Sequence, residues 1–313
     1  MHFKNIGPSL LLAAQAQAAI IQPRADSLKV RAITFNIRYA ADEPDRYKDE
    51  KPWDDRKVFV LDLLKTLARD ATDAGAVPVI GLQEAEHDQL ADIKKDLGDD
   101  WDHVGTGRDD GKEKGEYSPI LYQKSVVKLV NSTQLWVSET PEKPSKWPGT
   151  NSLRYVIAAV FDHVGTGGRF IAANTHLDSR SSEARSAGVN TALDCIEYMQ
   201  VGNGHTVPAA LTGDFNSEPG DKNDAYSTVI EDGYLKDAYN ETSENDRVGP
   251  WDTYAGFDSD EEEMRLDFIF LSDADNASFI PTHYEVVEDN VKDGVIFSDH
   301  RAVYADLEFK RDG

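Results

Sequence analysis

The sequence contains a single cysteine, Cys195, among its 313 residues. An intrachain disulfide is therefore excluded, and the fold has to be stabilised by its core. Hydrophobic residues make up 40% of the chain, which supplies a core for one large domain or two ordinary ones. Cys195 lies in a predicted amphipathic helix without obvious catalytic neighbours, so we expect a buried and inert thiol.

Basic charge is also scarce. The chain has 33 lysines and arginines against 57 acids, a formal net charge of −24. No run of bases is longer than two residues, as at Lys94 and Lys95. A long polyanion would meet little basic surface, so no stable complex with nucleic acid is expected, although its turnover is not excluded.

No stretch approaches the ~20 apolar residues that span a membrane. The amino terminus instead has basic His2 and Lys4, a short leucine run and then small residues. This pattern predicts a secretory signal peptide over residues 1–18, cut near Ala16 or Ala18, and a secreted, extracellular protein. Glycosylation triplets at Asn131, Asn240 and Asn276 agree with export, although such triplets also arise by chance.

Repeats and linkers rich in Pro, Gly or Ser are absent, so we predict one domain over residues 25–311. Its first elements are a strand ending at Asn36, a helix over 52–71 and a strand ending at Glu84, which form a crossover unit. A helix over 86–97 follows.

Strand and helix patterns continue to the end of the chain. Four segments rich in β-branched and aromatic residues over 117–178 predict an antiparallel meander. The later elements are a helix over 182–200, a strand over 207–213, a helix over 222–231 and three strands. The loop over 105–116 is either a lid or a plain surface loop.

The stretch 207–220 carries the first chemical signal. A buried strand leads into Asp214 and Asn216, and two residues apart in an extended segment lie on the same side of the backbone. An acid beside an amide suits a hard cation and a phosphoryl oxygen. A turn in which Asp and Asn cap their own backbone would give the same pattern.

Similar polar residues stand at the ends of other apolar runs. Any one of them alone is typical of a polar residue at a strand end whose hydrogen bonds are satisfied locally, but together they predict a shared cleft. These residues are Asn36, Glu84, His176, Asp178, Asp214, Asn216, Asp267, Asp299 and His300.

Six spaced blocks, TFNIR, GLQE, NTHLD, GDFN, RLDFIF and SDHRAV, resemble the endonuclease/exonuclease/phosphatase superfamily over about residues 28–310. Deoxyribonucleases, sphingomyelinases, inositol phosphatases and deadenylases belong to it. WDDR and the segment 107–122 resemble its secreted branch near the neutral sphingomyelinases and deadenylases. The resemblance implies a four-layer α/β/β/α sandwich, with two mainly antiparallel sheets flanked by helices.

The resemblance also implies a metal centre. Glu84 would be the principal ligand of Mg²⁺ or Mn²⁺, with Asn36 beside it at the metal and the phosphate. Asp299 would complete the metal shell or orient its neighbours, and Arg154 would contact the phosphate. Arg108 and Arg180 are further candidate anion-binding groups.

The catalytic roles implied by the resemblance concern the remaining residues. His300 would be the general base, held by Asp267, while Asp214 and Asn216 position the nucleophile and the phosphoryl oxygens. His176, steered by Glu116, would stabilise phosphoryl oxygens or protonate the leaving group.

These roles predict a metal-dependent phosphodiesterase or phosphomonoesterase. We expect a monomer that acts on a small or terminal phosphoester, because few bases are available to hold a polymer. A secreted endonuclease or exonuclease is the alternative enzyme. The alternative of another class is a catalytically inactive binding protein on the same fold.

Overall fold

The computed structural model describes residues 27–203, 207–258, 262–272 and 278–310. The predicted signal peptide and Asn276 lie outside these residues. Helices are α1 Trp53–Asp73, α2 His87–Leu97, α3 Ser182–Asn203, α4 Ala225–Asp232 and α5 Ala238–Glu241. Short 3₁₀ turns cover Glu43–Asp45 and Glu244–Asp246.

The described residues form fifteen strands. The first eight are β1 Ser27–Asn36, β2 Val77–Gln83, β3 Trp101–Val104, β4 Ile120–Gln123, β5 Val127–Trp136, β6 Tyr155–His163, β7 Arg169–His176 and β8 Ala209–Asp214. The others are β9 Leu235–Asp237, β10 Arg247–Val248, β11 Asp267–Ser272, β12 Ile280–Val286, β13 Val291–Lys292, β14 Val295–Ile296 and β15 Val303–Lys310.

Two large sheets are packed between two layers of helices. The seven-stranded sheet has the order β10-β12-β15-β1-β2-β4-β3, and the six-stranded sheet has the order β5-β6-β7-β8-β11-β9. An apolar core fills the space between them, a second core lies under α1 and α2, and a third lies under α3 and α4. The predicted four-layer sandwich is therefore confirmed.

Strand alternation explains how one strand serves two cores. In β1, Val30 and Ala32 face the other sheet, whereas Ile33 and Phe35 face α1 and α2. The predicted crossover is confirmed, because β1 and β2 pair in parallel and are joined by α1. β7 and β8 also pair in parallel across α3.

The predicted four-strand meander is wrong in one strand. β5, β6 and β7 pair antiparallel in one sheet, but β4 pairs with β2 and β3 in the other. β3 was not predicted. β3 and β4 have four residues each, too few to show a clear alternation of apolar and polar residues. The long loop between them also separates the two strands of this hairpin in the sequence.

Cys195 is buried in α3, as predicted, and burial raises the pKa of its thiol to about 12. In the described part of the chain, no helix is long and apolar enough to cross a membrane.

Candidate active site

The predicted polar residues meet at one edge of the sandwich. Asn36, His176 and Asp214 are the last residues of β1, β7 and β8, and Glu84 follows β2 directly. Asp267 opens the antiparallel strand β11 and is paired with Asp214 across the sheet. The carboxyl ends of the parallel strands therefore bring both sheets' polar side chains to the same place.

A layer of amides and hydroxyls separates this edge from the apolar core. Gln83 Nε2 donates to Asn174 Oδ1 at 2.8 Å and to Thr34 Oγ1 at 3.1 Å. Thr212 Oγ1 donates to the same Asn174 oxygen at 3.0 Å. These bonds join neighbouring strands of the two sheets, so they fix the spacing of the site residues that follow one or two positions later in each strand.

His300 is held by a carboxylate, as the resemblance implied. Its Nδ1 lies 2.7 Å from Asp267 Oδ2, and its Nε2 faces Asn36 Nδ2 at 3.4 Å and Asp214 Oδ2 at 3.7 Å. The ring of Tyr254 packs against it edge to face. This arrangement fixes the orientation of His300 and leaves Nε2 directed into the site.

The two neighbouring carboxylates also control the charge of His300. Burial opposes the charged ring, but Asp267 and Asp214 outweigh it and raise the pKa of His300 to about 10. Burial and the charge of Asp267 raise the pKa of Asp214 to about 7. The two carboxylates therefore favour the protonated ring, and His300 can act as a base by passing a proton on, with Asp214 a nearby acceptor.

Asn36 links the two sheets at the centre of the site. Its Nδ2 donates to Glu84 Oε1 at 3.2 Å and to Asp214 Oδ2 at 3.0 Å, while its Oδ1 accepts from the Arg38 amide at 3.0 Å. The side chain therefore presents a donor to the cleft, which suits a phosphoryl oxygen better than a cation.

Glu84 and Asp299 fit a hard divalent cation. Although burial acts in the opposite direction, Arg38 and Asn36 lower the pKa of Glu84, so it is an anion. Burial and the charge of Glu84 raise the pKa of Asp299 to about 6. A partly buried and a buried carboxylate that repel each other are the kind of site that Mg²⁺ or Mn²⁺ neutralises.

A second grouping could also hold a metal ion. One ligand atom from each of Asp214, Asp267 and His300 lies within 4.8 Å of the others. However, the Nδ1 of His300 is already engaged with Asp267 at hydrogen-bond distance. This grouping can therefore serve proton transfer, while Glu84 and Asp299 could hold a cation.

The residues after β1 were missed as functional residues. Arg38 forms an ion pair with Glu50 at 3.1 Å and reaches Glu84 at 3.8 Å. The Tyr39 amide donates to Glu84 Oε2 at 3.2 Å. These contacts hold Glu84 in place. Little in the sequence indicates these contacts, because Glu50 lies in a polar segment without a periodic pattern of apolar residues.

Among the described residues, five other than glycine have a positive φ, and three of them are at this edge. They are Arg38 at 57°, Glu84 at 59° and Asn216 at 49°. Such conformations cost free energy and persist where surrounding contacts impose them. Their concentration here indicates that backbone strain is used to aim side chains into the cleft.

Asn216 corrects the extended geometry predicted for the acid and amide pair. Because Asn216 is left-handed, it does not continue β8, and its Nδ2 donates to the Leu177 carbonyl at 3.1 Å. The backbone amide of Asn216 donates to Asp214 Oδ1 at 2.9 Å. Asp214 thus caps the turn with one oxygen, as the capping interpretation predicts, and faces the cleft with the other.

Arg56 of α1 anchors two loops of the site. Its guanidinium donates to the carbonyls of Ile37 at 3.0 Å and Phe297 at 2.7 Å, and also to those of Lys51, Arg38 and Tyr39. The side chain is fully buried. The chain after Asn36 is thereby fixed to the segment that precedes Asp299 and His300. In the sequence, Arg56 lies on the same helix face as the apolar residues Val60 and Leu64, and this position indicates a buried arginine.

A cluster of opposite character forms where Arg154 and His176 of the six-stranded sheet meet Arg108 and Glu116 of the β3–β4 loop, which belongs to the seven-stranded sheet. Glu116 accepts from Arg108 at 2.6 Å and lies 3.8 Å from Arg154 and 3.9 Å from His176 Nδ1. Burial and the charge of Arg154 lower the pKa of His176, which is therefore neutral. His176 Nε2 lies 3.4 Å from Asp214. Glu116 is thus next to His176 without being hydrogen-bonded to it, and Arg180 is exposed beyond this cluster.

Buried carboxylates suited to a hard cation, phosphate-binding donors and a histidine–aspartate pair on a two-sheet sandwich define a metal-dependent phosphoester hydrolase. The model of the Endonuclease/Exonuclease/phosphatase family matches residues 33–300, and the chain belongs to this family. The family predicted from the six motifs is therefore confirmed.

Three solved structures are similar to the chain. A family protein of Bacteroides thetaiotaomicron is 29% identical with a TM-score of 0.74, and covers 91% of this chain and 100% of its own. A mannosyl-6-phosphatase of the same organism is 29% identical with a TM-score of 0.72, covering 89% and 99%. A family protein of Bacteroides vulgatus is 30% identical with a TM-score of 0.73, covering 90% and 99%. No curated protein sequence matches the chain.

Proposed function

We propose that the protein is a secreted, Mg²⁺-dependent hydrolase of small or terminal phosphoesters, with Mn²⁺ as a possible substitute. The observation that carries this proposal is the meeting of Glu84, Asn36 and the His300–Asp267 pair at one edge. A site of this composition can hold a cation, orient a phosphoryl group and move a proton within a few ångströms.

Glu84 and Asp299 would hold the cation, which neutralises charge on the phosphoryl oxygens when it is bound. Asn36 Nδ2 donates its two N–H groups to Glu84 and Asp214 and would redirect one of them to a phosphoryl oxygen. Arg154 has a buried Nε without a hydrogen-bond partner among the described residues, so it can donate to another. These groups bind and orient the substrate.

The proton path would involve His300 and Asp214. Asp267 fixes Nδ1 of His300, which leaves Nε2 to hold the nucleophilic water, and Asp214 exchanges the proton with that nitrogen. Asn216 keeps the turn of Asp214 in place through its backbone amide. His176, on the other side of Asp214, would donate to a phosphoryl or leaving-group oxygen.

The distribution of bases supports a small substrate. At the edge, Arg108 and Arg154 both lie against Glu116, so that the carboxylate compensates part of their charge. The net charge of −24 disfavours a long polyanion. Similarity to a mannosyl-6-phosphatase supports a sugar phosphomonoester among the small substrates.

A panel of substrates with Mg²⁺, Mn²⁺ or Ca²⁺ tests the proposal. We expect a higher kcat/KM for a hexose 6-phosphate or glycerol phosphate than for internal bonds of duplex DNA. Arg154→Ala should raise KM for the small esters. Faster cleavage of duplex DNA, with a steep inverse dependence on salt, would favour the nuclease alternative. No hydrolysis of any ester would favour the inactive binding protein.

Secretion is a separate part of the proposal. It rests on the basic start, the leucine run and the small residues before Ala18. Amino-terminal sequencing of protein recovered from the medium should show that about 16 to 20 residues have been removed. Recovery of intact Met1 from the medium would contradict this part and leave the hydrolase unaffected.

A further inference from the structure

A polar cleft of about 270 Å³ lies beside the catalytic edge. One wall is the segment 149–152 before β6, and the other is the segment 178–181 between β7 and α3. Its volume is just below the roughly 300–1,000 Å³ of pockets that bind drug-sized ligands. The cleft therefore suits a single group about as large as a monosaccharide.

Both walls continue directly from residues of the site. Asp178 lies two residues after His176, and Ser152 lies two residues before Arg154. At about 3.3 Å per residue in an extended chain, two residues span roughly 7 Å. A phosphoryl group at the edge would thus place a directly attached sugar ring over the cleft.

The lining predicts the chemistry of the occupant. Thr150, Asn151, Ser152, Ser181 and the exposed Arg180 offer hydroxyl, amide and guanidinium groups. Within the described residues, the lining includes no aliphatic or aromatic side chain. An acyl chain or a nucleobase would find no apolar contact there, whereas a polyhydroxylated group could form several hydrogen bonds.

The cleft is also held in a fixed shape. Asp178 Oδ1 accepts from the amides of Arg180 at 2.9 Å and Ser181 at 2.8 Å. The Asp178 carbonyl accepts from Arg185 Nη1 at 3.0 Å, and Arg185 is paired with Asp224. A preformed wall lowers the entropy lost when a ligand binds.

We infer that this cleft is the subsite for the leaving group and that the group it takes is a polyhydroxylated one such as a hexose. The inference rests on the proposed function, because it assumes that the phosphoryl group is bound at the neighbouring edge. It adds the part of the substrate on the other side of the scissile bond and the residues that select it.

The test compares a substrate that has hydroxyls with one that has none. The ratio of kcat/KM for a hexose 6-phosphate to kcat/KM for p-nitrophenyl phosphate is measured in wild type and in Asn151→Ala, Arg180→Ala and the double variant. Asn131→Ala and Arg69→Ala, at exposed positions on β5 and α1, are matched controls outside the cleft.

We expect the ratio to fall about 3- to 10-fold in each single variant, the effect of losing one hydrogen bond to a ligand, and further in the double variant. The controls should keep the wild-type ratio. A ratio within twofold of wild type in the double variant would overturn the inference, as would an equal loss for both substrates.

Failure of the proposed function would look different, because wild type would then hydrolyse neither ester. Binding of hexose 6-phosphate and of inorganic phosphate is then followed by ligand-observed NMR in the presence of Mg²⁺. If the double variant no longer binds hexose 6-phosphate but still binds inorganic phosphate, the result would support the subsite. Equal binding to wild type and variant, or no binding, would overturn it.

Discussion

The two halves of the catalytic edge differ in how their polar groups are satisfied. On the seven-stranded sheet, Arg56 donates to five carbonyls, and both ends of the Asn36 amide are hydrogen-bonded. On the six-stranded sheet, His176 Nδ1, Arg154 Nε and Asp267 Oδ1 have no hydrogen-bond partner among the described residues. Among the described residues Arg108 Nε of the β3–β4 loop also has no partner, so the unused hydrogen-bonding capacity lies in the six-stranded half and in that loop.

Buried polar atoms without partners cost free energy, so their concentration needs a reason. In a hydrolase, a bound phosphoester can supply the missing partners. The comparison therefore assigns the cation and its rigid support to the seven-stranded half and much of the substrate binding to the six-stranded half. The substitutions below test this division between the two sheets.

The largest effect is expected from the residues that carry the chemistry. Glu84→Ala, Asp214→Ala and His300→Ala should each lower kcat/KM by about 10³-fold or more, while thermal unfolding stays cooperative. Glu84 and Asp214 lie at strand ends and His300 lies between β14 and β15, and none of the three belongs to the apolar cores. Near-normal activity in all three folded variants would show that the site has been placed wrongly.

The rigid half is broken by Arg56→Met. The variant leaves five carbonyls without this donor, three of them in buried hydrogen bonds, so the free energy of unfolding in urea should fall by about 3–5 kcal/mol. The exposed Arg69→Met on the same helix is the control and should change it by less than about 0.5 kcal/mol. Equal stabilities would contradict the anchoring role.

The contact between the halves is tested at Gly81. A Cβ there would lie 2.6 Å from Asn174 Oδ1, within the layer of amides and hydroxyls. Gly81→Ala should therefore destabilise the protein by about 1–3 kcal/mol through overpacking. Gly202→Ala, where nothing lies within 4 Å, should not. A neutral Gly81→Ala would mean that the sheets separate easily.

The smallest effect is expected at Asp224, which caps α4 and pairs with Arg185. Although burial opposes ionisation, Arg185 lowers the pKa of Asp224. The stabilisation from the ionised Asp224 carboxylate is present above the pKa of the unfolded state, about 3.9, and is lost as the pH falls below that value. Asp224→Asn should cost about 1 kcal/mol at pH 7, and the difference from wild type should shrink as the pH falls through the lowered pKa of Asp224.

Residues near one another in sequence allowed most of the fold and part of the site to be predicted. The β1–α1–β2 crossover follows from periodicity, and Asn36 and Glu84 follow from the ends of apolar runs. Once β1, β2, β7 and β8 are identified as strands, parallel pairing brings their carboxyl ends together.

What could not be predicted depends on contacts between distant segments. The sheet to which β4 belongs is decided by its pairing with β2, some forty residues earlier. The left-handed turn at Asn216 is imposed by the Leu177 carbonyl, which belongs to another strand end. The pairing of Arg38 with Glu50 has no period to reveal it.

The division between the halves is tested most directly by Mg²⁺ binding, measured by titration calorimetry on Glu84→Gln and His176→Ala. The account predicts that Glu84→Gln weakens Mg²⁺ binding by about 10-fold or more. His176→Ala should keep the wild-type Kd within about twofold and lower kcat by about 10²-fold. An equal loss of Mg²⁺ affinity in both variants would contradict the assignment of cation and substrate to different sheets.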